Sequence, residues 1–276
     1  MPVDHAAKPR PHSEAVLRIF WPPALAIVRL LVRLRVDPVW VVVTHSLLGL
    51  LAAALLAFRP EALWMVAVLL QLKTLLDNAD GGVARASGRV TQLGRYLDTL
   101  MDLLVNFCLF AALARYGPPA AAFGGFVLLT VILSLDHNLE ALYRAQRQPR
   151  HPDEPVPVGA PRPLFHLVKG SYDLLLGAQD RLIRHLDRAA FERLSGLQAS
   201  SAPLELRLAW NDMFSTASLV NLGLSTQLLV LGVCLALGHP FWYVLLVYGQ
   251  AAYVAAVLLA RGPRLKRYLQ RAHRDA

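Results

Sequence analysis

"DNADGGVARASGRVTQLGRYLDTLMD" (residues 77–102) sets four aspartates into a stretch whose flanks are apolar enough to cross a bilayer. Asp77 and Asp80 are three residues apart, Asp98 and Asp102 four, so on helices each pair shares a face. The piece between them, rich in glycine and polar residues, can end one helix and start the next. Two neighbouring antiparallel helices would then aim two carboxylate pairs at each other. A carboxylate within a membrane costs at least about 2.5–3.5 kcal/mol, so something positive has to sit among them. Hard oxygen donors suit Mg²⁺ or Mn²⁺, and two divalent ions would neutralise all four charges. Such a two-metal site suits phosphoryl chemistry. The competing reading is structural, with the aspartates paired to Lys73, Arg85, Arg89 and Arg95. It gives no reason for the small residues Gly81, Ala84 and Gly94, which leave a slot for a ligand.

The rest of the 276-residue chain fits a membrane setting: 55% of it is hydrophobic and 17% charged. Five windows are long enough to span a bilayer core: residues 39–58, 96–114, 120–142, 214–237 and 241–260. A sixth, 62–84, contains Lys73, Asp77 and Asp80. The expected fold is therefore an all-α membrane protein with six transmembrane helices. The first residues are polar and do not read as a secretory signal. Residues 22–35, with Arg29, Arg33 and Arg35, read as an N-terminal interfacial amphipathic helix. Five segments follow: a cytoplasmic N-terminus with that helix (1–38), four spans (39–144), an insertion (145–210), two spans (211–260) and a basic tail (261–276). The insertion opens as a Pro-rich stretch that should be irregular and continues as an amphipathic helix.

Basic residues set the orientation. With the N-terminus inside, the outer loops hold only Arg59 and Arg115 of the 28 Lys and Arg, so the aspartates face the cytoplasm of an inner or plasma membrane. The net charge of +9 then suits anionic headgroups and phosphates. Because these charges flank spans and form no single soluble patch, nucleic acid is not an expected partner. Cys108 and Cys234 fall in apolar spans and read as small buried hydrophobes.

The stretch resembles the signature of the CDP-alcohol phosphotransferase (CDP-alcohol phosphatidyltransferase) family, D-x2-D-G-x2-A-R-x8-G-x3-D-x3-D. Asp77, Asp80, Gly81, Ala84, Arg85, Gly94, Asp98 and Asp102 match it without a gap. The resemblance implies two Mg²⁺ or Mn²⁺ ions held by Asp77, Asp80, Asp98 and Asp102, with Asp102 also the general base. It puts Gly81 and Arg85 against the CDP moiety, with Ala84, Gly94 and Thr91 in the same slot; Val41 to Thr44 are a further lining candidate. It implies transfer of a phosphatidyl group from a CDP-linked lipid, CDP-diacylglycerol foremost, to a small alcohol acceptor, with CMP released, within phospholipid biosynthesis. It also implies a homodimer among membrane lipids. The insertion and N-terminal extension depart from the family layout.

Other polar residues divide between two readings each. Asn106 extends the Asp98–Asp102 face and either orders the base or satisfies a helix contact. Asp136, His137 and Glu140 read more readily as solvated groups than as ligands. Ser218, Asn221 and Ser225 form a stripe of the kind that glues membrane helices together. His45 reads as packed and hydrogen-bonded, with a ligand role the lesser alternative. Lys73, Arg95, Arg144 and Arg207 are available to an acceptor carrying its own phosphate. Among rival functions, a cation-coupled transporter would also use buried aspartates but leaves the Gly-x2-Ala-Arg slot unexplained. An intramembrane prenyltransferase would need a second Asp-rich motif, and residues 214–260 contain no acid. The intact set of four aspartates argues against a silent scaffold.

Overall fold

The computed structural model describes residues 15–147 and 162–272. The polar start, most of the Pro-rich stretch and the last four residues of the tail fall outside them. The described residues form helices α1 (Leu17–Arg33), α2 (Pro38–Phe58), α3 (Leu63–Ala86), α4 (Gln92–Leu113), α5 (Pro119–Arg147), α6 (Arg162–Tyr172), α7 (Ala178–Ser195), α8 (Leu204–Trp210), α9 (Met213–Val220), α10 (Leu224–Ala236) and α11 (Trp242–Ala272). No strand occurs among them. The protein is all-helical. Five helices are long and apolar enough to cross a membrane, and α9 with α10 makes a sixth if the bent pair counts as one span.

The helix starts are written locally. Asp37 caps α2, its carboxylate accepting from the Val39 N–H at 3.0 Å, and Pro38 at the first position needs no partner for a missing N–H. Between α3 and α4, Gly88 at φ 66° lets the chain reverse in the left-handed region. Arg89 then reaches Asp37 at 3.6 Å, tying this turn to the start of α2.

Where expectation and fold part, packing is the reason. The Gly-rich segment between the aspartate pairs does end α3, at Ala86, and start α4, at Gln92, but the Gly81–Gly82 pair itself stays helical. There Ala79 and Val83, both fully buried, hold the helix against Ala24 and Val28 of α1, offsetting the weak helix propensity of glycine. The N-terminal helix begins at Leu17, ahead of Pro22, and braces the back of the motif helix. The fifth span is broken: the chain bends by 45° between α9 and α10, where Gly223 leaves helical geometry with ψ 169°.

The insertion and the tail pack more closely than their sequence patterns indicate. Residues 261–272 are not a free tail but the end of α11, whose Leu265 packs with Phe191, Leu206 and Trp210 in a separate apolar cluster. The amphipathic part of the insertion joins the bundle. Tyr96 of α4 packs against Phe165 and Tyr172 of α6, the Tyr172 ring centroid 4.9 Å away. Gln179 of α7 donates to the Thr130 carbonyl of α5 at 3.0 Å. Burial, then the nearby Asp180 carboxylate, pushes the Tyr172 hydroxyl up to about 12, so at neutral pH it stays protonated and donates to Asp180 at 2.9 Å.

Candidate metal centre and nucleotide slot

Three helices build the site. On α3, Asp77 and Asp80 lie one turn below Lys73; on α4, Asp98 and Asp102 lie one turn apart. The two carboxylate helices do not pack mainly on each other, as expected; α2 packs against both and joins them. Gly49 makes this possible. A Cβ there would stand 2.6 Å from Val105 Cγ1, closer than real side chains pack, so only glycine lets α2 approach α4 so nearly. One turn back along α2, that approach carries His45 into the middle of the acids.

His45 is fully buried. Its Nε2 lies 3.3 Å from Asp80 Oδ2 and 3.5 Å from Asp98 Oδ1, and its Nδ1 lies 3.7 Å from Asp77 Oδ1. Lys73, 1% exposed, donates to Asp102 Oδ1 at 2.7 Å and to Asp77 Oδ1 at 3.2 Å. Asp80 also accepts from the Gly81 N–H. The structural pairing therefore holds for Lys73, yet it does not close the charge balance. Lys73 and His45 are set among the four carboxylates, and Arg85 stands close by on α3.

The leftover valence is visible atom by atom. His45 Nδ1 and Asp98 Oδ1 are buried with no hydrogen-bond partner, a state that costs about 1–3 kcal/mol per group. Ligand atoms of His45, Asp77 and Asp98 all lie within 4.8 Å of one another, a spacing that could hold a metal ion. Carboxylate oxygens with one imidazole are a donor set that divalent first-row ions and Mg²⁺ accept. The residues present fit such an ion.

The remaining motif residues sit around this cluster. Arg85 folds back over Gly81: a Cβ at 81 would come 3.1 Å from its Nη1. Ala84 is half-buried on the same helix. Thr91 is the N-cap of α4, its hydroxyl accepting from the Gly94 N–H at 3.1 Å. A Cβ on Gly94 would come 3.1 Å from that hydroxyl, so the glycine serves the cap as well as the slot.

The secondary candidates divide. Asn106 is buried on α4, one turn beyond Asp102. Ser225 accepts from Asn78 at 3.2 Å and Ser218 from Tyr253 at 3.1 Å, which is helix-to-helix bonding of the expected kind. Asn221 accepts from the Ala15 N–H at 2.9 Å. Glu140 pairs with Arg144 on its own helix, while Asp136 and His137 lie along the same α5 end. Sequence reasoning underweighted His45. The available signal was a histidine one helical turn before a glycine in an otherwise apolar span.

An all-helical membrane bundle with an acidic, cation-type centre between its helices defines the class, and comparison with known proteins supplies the family. Residues 25–159 match the model of the CDP-alcohol phosphatidyltransferase family. The matched residues contain the whole aspartate cluster, so this part of the chain carries a domain similar to that family's. It is similar to proteins named "Bifunctional IPC transferase and DIPP synthase". With that of Aquifex aeolicus it is 36% identical over 89 residues, 32% of this chain and 20% of the relative. With that of Thermococcus kodakarensis it is 35% identical over 99 residues, 36% and 22%. With that of Archaeoglobus fulgidus the figures are 30% over 69 residues, 25% and 14%. The chain thus spans only 14% to 22% of the length of these curated relatives.

Proposed function

We propose that the chain transfers a substituted phosphoryl group from a CDP-linked lipid, CDP-diacylglycerol, to the hydroxyl of an acceptor alcohol, releasing CMP on the cytoplasmic side. One observation carries this reading. Within the family's CDP-alcohol motif lies a cluster of carboxylates around a buried histidine, in which ligand atoms of His45, Asp77 and Asp98 are spaced for a cation and His45 Nδ1 and Asp98 Oδ1 lack a hydrogen bond. The word "transferase" in the relatives' names supports group transfer.

Asp77, Asp80, Asp98 and Asp102, with His45 beside them, would hold two Mg²⁺ or Mn²⁺ ions. Bound there, such ions neutralise the diphosphate and stabilise charge on the attacking and leaving oxygens. The protein's own groups do the rest. Asp102 accepts the proton of the acceptor hydroxyl as its oxygen bonds to the phosphorus that carries the lipid. The bond from that phosphorus to the CMP oxygen breaks, and CMP leaves as a phosphate monoester. Lys73, at 2.7 Å from Asp102 Oδ1, fixes the orientation of that carboxylate and leaves its other oxygen for the proton. Arg85, folded over Gly81, is placed to meet a phosphate of the nucleotide, and a side chain at position 81 would fill that space.

The test is CMP release from CDP-diacylglycerol by the purified chain in mixed micelles with Mg²⁺ or Mn²⁺ and a panel of acceptors. The panel should include glycerol phosphate, inositol phosphate, serine and choline. Acceptor-dependent CMP release that Asp102→Asn abolishes is the expected result. No release with any acceptor, or a full rate in Asp102→Asn, would sink the reading.

A further inference from the structure

Outside the aspartate cluster, a cavity of about 340 Å³ opens where the end of α5 meets α7, α8 and Asn211. None of the motif residues lines it. Three arginines do: Arg184, Arg188 and Arg207, together with Gln146. Two carboxylates also reach it, and both are committed within the fold. Asp187 takes an ion pair from Arg261 at 2.6 Å and a hydrogen bond from the Trp210 indole at 3.2 Å. Glu192 accepts the Ala199 N–H at 2.9 Å. Arg184 spends one nitrogen on Asn138 at 2.9 Å, whereas the Arg188 side chain forms no ion pair among the described residues.

The polar atoms are left in need. Arg207 Nε and Gln146 Oε1 are buried without a hydrogen-bond partner. An unmet guanidinium donor calls for an anionic acceptor, and the unmet Gln146 carbonyl oxygen, which only accepts, calls for a hydroxyl donor on the same ligand, such as a protonated phosphate oxygen. The wall opposite is apolar and aromatic, from Leu142, Phe191 and Trp210. Planar guanidinium forks suit phosphate oxygens bidentately.

We infer that this cavity binds a phosphate monoester, in a site separate from the transferase centre and independent of the proposed reaction. The phosphate belongs either to an anionic lipid headgroup, since the cavity lies at the basic end of the bundle, or to a free phosphorylated alcohol.

Thermal unfolding of the full chain separates these sources and tests the site. The protein is measured with EDTA present, so that no divalent ion can recruit phosphate to the aspartates. One arm adds inorganic phosphate at constant ionic strength; the other compares phosphatidylcholine nanodiscs with and without phosphatidic acid. A saturable rise of about 5 °C is expected in at least one arm, lost in the Arg188→Gln/Arg207→Gln double variant and kept in Arg193→Gln, a control outside the cavity. A rise with phosphate names a soluble ligand, and a rise with phosphatidic acid alone names the headgroup. Should the double variant fail to fold, Arg188→Gln by itself should weaken the apparent affinity about tenfold. No rise in either arm, or a rise that the arginine variants retain, overturns the proposal.

Discussion

Buried charge is handled in opposite ways at two places in this molecule. Near the end of α11, Arg261 is 4% exposed, yet every need is met. It pairs with Asp187, donates to Asn211 at 2.9 Å and to the Trp210 carbonyl at 3.1 Å, and stacks over the Trp210 ring at 4.0 Å. At the aspartate cluster, Lys73 and His45 lie among four carboxylates, and two buried atoms, His45 Nδ1 and Asp98 Oδ1, have no hydrogen bond. The first arrangement is complete as it stands and has no use for a ligand. The second leaves atoms over for a ligand, and in the proposed function cations fill that place. Balanced burial marks structure, and a one-sided surplus marks a site.

The largest expected effect sharpens that contrast. Asp102→Asn should lower CMP release about a thousandfold, within the range for loss of a general base, while the unfolding temperature changes little, because the amide oxygen can still accept from Lys73, Lys73 keeps Asp77 at 3.2 Å and one like charge leaves the cluster. Asp187→Ala should do the reverse. It strands Arg261 in an apolar cluster and should cost about 3–5 kcal/mol of stability, read as a fall in unfolding temperature, with turnover per folded molecule unchanged. Activity lost through Asp187, or stability lost through Asp102, would break the comparison.

A smaller effect tests how the third helix delivers His45. Gly49→Ala puts a methyl against Val105 and should cost about 1–3 kcal/mol. By parting α2 from α4 it should also weaken Mn²⁺ binding, whereas Ala53→Gly, one turn further along α2, should leave that binding intact. The smallest concerns Thr91. If it serves α4 chiefly as a cap, Thr91→Val should cost about 1 kcal/mol and Thr91→Ser almost nothing, with the KM for the CDP-linked donor little changed in Thr91→Ser.

The two-pair aspartate geometry was readable because 3.6-residue periodicity converts spacing directly into a shared face, and the spans because apolar length is a local property. His45 was not. It lies 32 residues before Asp77, and only the Gly49–Val105 approach brings it in. The fit of the insertion against α4 and α5 depends on Tyr96 meeting Phe165 and Tyr172, a long-range contact that an amphipathic pattern cannot specify. The bend before α10 was present as Asn221–Leu222–Gly223, but an apolar window averages over such a break. In sequence, Arg261 belongs to a basic tail, since charge alone does not reveal that Asp187 waits 74 residues away.

The account rests on cations completing the aspartate cluster, and Mn²⁺ binding to the purified chain, followed by electron paramagnetic resonance in the presence of CDP, tests that most directly. It predicts saturable Mn²⁺ uptake by the wild type and its loss in Asp98→Asn, with both proteins folded. Uptake undiminished in Asp98→Asn, or absent from the wild type, would contradict it.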